Sequence, residues 1–192
     1  MAKKTYVPGL LGNDEHTQKI IAWFFAFPDA EMSLNELSEA LKMSKITANA
    51  AVVQLQKTEF IKIKNIGGTW QISCNKQHTY NFTKKIAYNL AQIYNSKIIE
   101  EVHKKIPHAK AIILFGSYRK GDDTEKSDID IAVEVSGNET LKIKELMILP
   151  TFGYRKNVQV NLHVFSRKHT DINLFSNIAN GIILEGFLEV KP

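Results

Sequence analysis

Five consecutive apolar residues, Ala111-Ile112-Ile113-Leu114-Phe115, break off at Gly116-Ser117, and ten residues later the chain reads Asp128-Ile129-Asp130. A strand apolar on both faces must be covered on both, so it belongs inside a sheet packed between layers. Glycine at its end lets the backbone approach a ligand without a Cβ clash. Ser117 offers a hydroxyl and an N–H to a phosphate, the more so if a helix begins just after it. Residues two apart on a strand share a face, so Asp128 and Asp130 project together while Ile129 and Ile131 turn into the core. Two carboxylates ~7 Å apart along one strand repel unless a cation sits between them. Hard oxygen donors favour Mg²⁺ (or Mn²⁺), which also takes oxygens from substrate phosphates. The set is complete for phosphoryl chemistry: serine for the phosphates, aspartates for the metal, metal for the developing charge.

Charge is distributed to match. The chain of 192 residues carries a net +5, yet residues 111–150 hold five basic side chains against eight acidic ones. Just before them, residues 76–110 hold seven lysines against two glutamates, a basic belt. An acidic cluster inside a basic protein is a natural seat for a cation. The 44% apolar and 23% charged shares are those of an ordinary globular protein, large enough for one sizeable domain or two small ones. The apolar run Ile20–Phe27 is too short to span a membrane and lacks the flanks of a signal peptide. With Cys74 as the only cysteine, no internal disulfide is possible, and Cys74 reads as a small apolar residue at a strand end. A cytoplasmic protein with no membrane partner is the expectation.

The pattern along the chain predicts two domains of an α+β protein and a connector. Pro8, Gly9 and Gly12 mark the first dozen residues as an arm. A helix is expected from His16 to Phe27, stopped by Pro28-Asp29. Its aromatic stretch Trp23-Phe24-Phe25, with Phe27, reads as core, with one ring to spare for a dimer contact. A second helix starts at Ser33, which forms a capping box with Glu36. A third places Ala48, Val52 and Leu55 on one face. Phe60–Lys64 and Thr69–Ser73 alternate as strands, and Gly67-Gly68 between them signals a hairpin. Three short helices and a hairpin describe a winged helix over 13–76. A basic helical connector follows at 77–106, one long helix from Thr83 to about Lys105. In the α/β domain, 107–192, strands are expected at Ala111–Phe115, Ile129–Val135 and Val158–Val164. Helices are expected from about Glu139 to Leu149, closed by Pro150, and from Asp171 to Ala179, before the apolar run Ile182–Leu184.

Over roughly Lys105 to Glu189 the chain resembles the DNA-polymerase-β-like nucleotidyltransferase superfamily, and within it the small, minimal nucleotidyltransferases. The resemblance rests on Leu114-Phe115-Gly116-Ser117-Tyr118-Arg119-Lys120-Gly121 and Ser127-Asp128-Ile129-Asp130-Ile131-Ala132-Val133, with a weaker echo in Ile178-Ala179-Asn180-Gly181-Ile182-Ile183-Leu184. It implies transfer of a nucleoside monophosphate from a triphosphate, ATP first among them, with two metal ions. Gly116 and Ser117 would hold phosphates, with Lys120 beside them, and Asp128 and Asp130 would bind the metals. Two departures stand out. The family's third carboxylate lies in a Val-Asp-Leu context on the next strand, and here that strand reads Val158-Gln159-Val160-Asn161-Leu162-His163. Asn161 can lend a carbonyl oxygen but neither negative charge nor a general base, and His163 is the one alternative base on that face. Lys120 stands where relatives often have arginine, a point charge in place of a fork.

Residues 16–75 resemble winged-helix regulators. Lys45, Thr47 and Asn49 open the third helix and would reach base edges, while Lys62 and Lys64 would lie on phosphates. The segment is nearly neutral, so as a lone module it should bind DNA weakly, and dimerisation, expected here, would double each contact. A protein-docking role is the alternative. The leading reading is an enzyme that moves a nucleoside monophosphate onto a protein or RNA acceptor, as small relatives do in toxin–antitoxin pairs. The rival is a non-enzymatic DNA-binding regulator that keeps the transferase fold as a nucleotide sensor or dimer platform. Modification of a small molecule would leave the winged helix without a task.

Overall fold

Side-chain caps start the first three α-helices of the chain. The computed structural model describes residues 14–137 and 140–190, and the expected arm at 1–12 lies outside them. Contacts divide the chain into two units, Met1–Tyr88 and Asn89–Pro192.

In the first unit Asp14 caps α1 (Glu15–Ala26), its carboxylate accepting from the Thr17 N–H at 2.7 Å. Ser33 and Glu36 form the expected capping box at the head of α2 (Leu34–Ala40). Ser44 caps α3 (Lys45–Lys57), accepting from the Thr47 N–H at 3.1 Å. Each cap satisfies an N–H that the helix itself cannot. The buried faces of the helices meet around Ile20, Phe24, Phe25, Leu37, Val52 and Leu55, all at most 2% exposed. Trp23 and Phe27 are only half-buried, their rings packed at a tilt with centroids 4.6 Å apart, and the Trp23 indole N–H points to the Met32 sulfur. Strands β2 (Ile61–Ile66) and β3 (Thr69–Cys74) pair as the expected hairpin, with both turn glycines at positive φ, as a tight hairpin turn requires. A two-residue strand, β1 (Glu31–Met32), adds to β3 and completes the sheet order β1-β3-β2. Cys74 is buried, and burial pushes its thiol up to about 11. Native protein at pH 8 should therefore react with a thiol reagent far more slowly than unfolded protein, as a colorimetric thiol assay would read.

The long connector helix is two helices. α4 (Lys84–Tyr94) ends at Asn95-Ser96, and α5 (Ile98–Lys105) begins after Lys97. The Ser96 hydroxyl donates to the Ile93 carbonyl at 2.6 Å and accepts from the Ile98 N–H at 3.2 Å, so one side chain takes over the helical hydrogen bonding. The basic belt is largely spent within the protein. Lys76 pairs with Asp29, Lys104 with Glu101, Lys105 donates to the Leu146 carbonyl, and Lys85 is buried.

The second unit is a mixed five-stranded sheet in the order β6-β7-β5-β4-β8, an α+β arrangement. Its strands are β4 (Ala111–Phe115), β5 (Ile129–Glu134), β6 (Lys142–Phe152), β7 (Arg155–Phe165) and β8 (Ile182–Gly186). The one-turn helix α6 (Ser117–Lys120) follows β4, and α7 (Ile172–Ala179) precedes β8. Only β5 and β7 run parallel. As the apolar run requires, β4 is buried throughout: Ile112 and Leu114 pack with Ile98 and Val102 of α5, and Ala111, Ile113 and Phe115 face Ile178 of α7.

The helix expected over 139–149 is the edge strand β6, paired antiparallel to β7. A bulge between Glu145 and Met147 shifts the register, so the buried residues fall at Leu146, Leu149 and Phe152. That spacing of three imitates a helix. Pro150 does not end it, because an edge strand tolerates proline where no ladder N–H is needed.

Candidate active site

Strand register assembles the site. Phe115 of β4 lies opposite Asp130 of β5, and Asp130 lies beside Asn161 of β7. Since Ile129, Ile131 and Val133 belong to the core beneath the other face, alternation sends Asp130 to the face that carries Asn161 and His163. Asp128 enters from the loop just before β5. The Asn161 amide nitrogen lies 3.4 Å from Asp128 Oδ2 and 3.5 Å from Asp130 Oδ1. Both carboxylates therefore converge on one point.

Gly116 closes the site from β4. Its backbone, at φ 73° and ψ −152°, occupies a region essentially reserved for glycine. A Cβ there would stand 2.8 Å from Asp130 Oδ2. Ser117 opens α6 directly after it, and among the described residues nothing engages its hydroxyl. Lys120 ends the same turn and is exposed, with no hydrogen bond or ion pair tying it to the aspartates.

Two neighbours fix the polar groups. The Gln159 side-chain amide donates to Asn161 Oδ1 at 2.7 Å, which turns the Asn161 N–H₂ toward the carboxylates. His163 Nε2 lies 3.1 Å from Asp130 Oδ1, with its ring edge-on to Phe115. Beside a carboxylate acceptor, Nε2 carries the proton and donates. The basic nitrogen is then Nδ1, which is buried and without a hydrogen-bond partner. In this tautomer His163 meets the site through Nε2 and orients Asp130.

Among the described residues no three His, Cys, Asp or Glu side chains are arranged to hold a metal. The donor set nevertheless suits one hard cation: two converging carboxylates, with an amide held between them where such an ion would relieve their repulsion. Remaining ligands would have to come from the Asn161 oxygen, after the amide turns over, from water, or from a substrate phosphate.

Sequence reasoning missed Arg155, Asn89 and Gln159. Arg155, on β7, donates to the Ser127 carbonyl at 2.7 Å, the Glu125 carbonyl at 2.9 Å and the Tyr118 hydroxyl. The Asn89 amide donates to Asp123 Oδ1 at 2.8 Å and to the Tyr118 carbonyl at 3.2 Å. These bonds fasten the segment between Ser117 and Asp128. Only Gln159, two residues before Asn161 on the same face, carried any local signal.

The residues expected to meet DNA lie in the first unit. Lys45, Asn49, Lys62 and Lys64 are exposed, with the two β2 lysines on one strand face. Thr47 is half-buried and its hydroxyl pairs with Ser44 at 2.8 Å, so it serves the cap. Asn49 lines a groove with Asn35, Thr69 and Trp70.

Residues 95–179 match the family described as "Nucleotidyltransferase domain". A protein from Methanocaldococcus jannaschii named as a protein adenylyltransferase is 42% identical over 55 residues, which make up 29% of this chain and 51% of that protein. The chain thus spans about half the length of this curated relative. Similarity and geometry together support a nucleotidyltransferase domain over residues 95–179, the segment that brings Gly116, Ser117, Asp128, Asp130 and Asn161 together.

Proposed function

We propose that the second unit moves a nucleoside monophosphate from a triphosphate, ATP first, onto a macromolecular acceptor, either protein or RNA. The convergence of Asp128 and Asp130 beside the Cβ-free Gly116 carries this reading. Gly116 leaves room for a phosphate to approach the aspartates, and the free Ser117 hydroxyl is placed to donate to it. Asp128 and Asp130 would hold Mg²⁺ or Mn²⁺. Once bound, the ion would draw the triphosphate to the aspartates and offset charge developing on the phosphorus oxygens. His163, 3.1 Å from Asp130 Oδ1, would hold that carboxylate in place for the ion. The name of the archaeal relative favours a protein acceptor, and a toxin–antitoxin pairing would supply one.

Labelled triphosphates with Mg²⁺ or Mn²⁺ and candidate acceptors test this. We expect transfer of label, reduced at least a hundredfold by Asp128→Ala. If label never transfers while triphosphate binding persists, the catalytic reading falls. The rival, a nucleotide-sensing regulator without turnover, draws specific support from Asn161, which offers the aspartates an N–H in place of a third carboxylate.

For the first unit we propose a winged helix that binds DNA, with Lys45 and Asn49 on base edges and Lys62 and Lys64 on phosphates. With much of the basic belt paired internally, affinity should be modest unless the protein dimerises. Replacing Lys62 and Lys64 by glutamine should weaken binding to its own upstream region. It should also lower the slope of log affinity against log salt by about 2, measured by fluorescence anisotropy. An unchanged slope would favour a protein-docking surface instead.

A further inference from the structure

We infer that Arg155 is a positioning residue that holds the two halves of the phosphate-and-metal motif in register; the inference rests on the nucleotidyltransferase reading of that site. One guanidinium joins β7 to two segments distant from it in sequence, Tyr118 on one side and the Glu125 and Ser127 carbonyls on the other. Tyr118 follows Ser117 in the phosphate turn, and Ser127 immediately precedes Asp128. The Tyr118 ring, 1% exposed, is wedged between Arg155, whose guanidinium carbon lies 5.7 Å from the ring centroid, and Phe152, edge-on at 5.5 Å. Without this fork, the loop that delivers Asp128 would keep the Thr124–Ser127 turn and the Asn89–Asp123 bond. Among the described bonds, its last residues would then be joined to β7 by the long Asn161–Asp128 contact at 3.4 Å.

The arrangement is costly for stability alone. Arg155 is 8% exposed, desolvation pulls its pKa down, and among the described residues no carboxylate is paired with it. A buried cation held by carbonyl dipoles contributes little net stability, and an apolar side chain of similar volume can do as well. What the guanidinium adds is geometry, since its planar fork reaches two carbonyls and a hydroxyl at once. Lysine, with a single compact ammonium, cannot span the three.

The test compares Arg155→Met, Arg155→Lys and Tyr118→Phe with the natural chain. Amide hydrogen exchange is read over residues 122–128, and Mn²⁺ affinity by titration with paramagnetic resonance detection. Exchange in that loop should rise at least tenfold in Arg155→Met while β4 and β7 stay protected, with Mn²⁺ affinity falling about tenfold. Arg155→Lys should restore part of the loss and Tyr118→Phe should show a smaller effect of the same kind. If Arg155→Met does not fold, those two milder variants decide by the same loop-specific signature. Exchange that rises evenly across the sheet, or loop exchange and Mn²⁺ affinity that both stay unchanged, would overturn the assignment. If the natural chain binds no Mn²⁺, the metal-dependent reading of the site fails, and loop exchange alone still decides the role of Arg155.

Discussion

Gly116→Ala is expected to weaken Mn²⁺ binding at the proposed cation site by about tenfold or more while costing about 1–3 kcal/mol of stability. Two causes act at one position and can be separated. The backbone at φ 73°, ψ −152° is strained for any residue with a Cβ. In addition, the new methyl would stand 2.8 Å from Asp130 Oδ2, with Asp130 Cβ and Cγ at 3.6 Å. The carboxylate has to swing away, and it leaves His163 and the shared point with Asp128 as it does so. Gly137 is the control. It also sits at positive φ, 101°, but a Cβ there meets nothing within 4 Å. Gly137→Ala should therefore lower the melting temperature through strain alone and leave Mn²⁺ affinity unchanged. Calorimetry with a metal titration reads both. If both alanine variants bind Mn²⁺ as the natural chain does, Gly116 does not act on the site through Asp130.

How far the sequence could be read depended on how local each cause was. The apolar run of β4 needs no partner to reveal itself, and its limits at Ala111 and Phe115 are those observed. The alternation in β5 and β7 fixed which side chains share a face. It grouped Asp128 with Asp130, and Gln159 with Asn161 and His163; the family resemblance placed Asn161 with the aspartates, and the β5–β7 register sets it beside Asp130. The capping box of Ser33 and Glu36 acts over three residues and was equally visible. The failures are tertiary. A bulge at Glu145–Met147 disguised β6 as a helix, and the helix expected from Thr83 to about Lys105 breaks where the Ser96 hydroxyl makes two hydrogen bonds. Arg155 gave no signal at all, because its partners lie 28 to 37 residues away and two of them are backbone carbonyls.

The same tertiary bonds sharpen what Asn161 does, and Asn161→Asp is the variant expected to change the site most. In the natural chain the amide N–H₂ faces both carboxylates at 3.4 and 3.5 Å, and Gln159 holds its oxygen on the far side. A metal-free site is thereby kept from self-repulsion, at the expense of cation affinity. An aspartate here keeps the register opposite Asp130 but brings a third negative charge to the same point. Without metal, that crowding should lower stability by about 1–3 kcal/mol, and Mn²⁺ should restore it by binding the folded state alone. The melting temperature of the variant should therefore climb steeply with Mn²⁺, where that of the natural chain climbs little, and its affinity should be at least tenfold tighter. Gln159, now facing a carboxylate, can still donate, so the supporting bond survives. Activity then separates the two functional readings. If the natural chain transfers label and Asn161→Asp transfers it faster, the asparagine tunes an enzyme. If transfer appears only in the variant, the natural chain is the regulator, and its amide is what silences an otherwise intact site. A variant that neither binds Mn²⁺ more tightly nor gains metal-dependent stability would mean that Asp128 and Asp130 do not form a cation site.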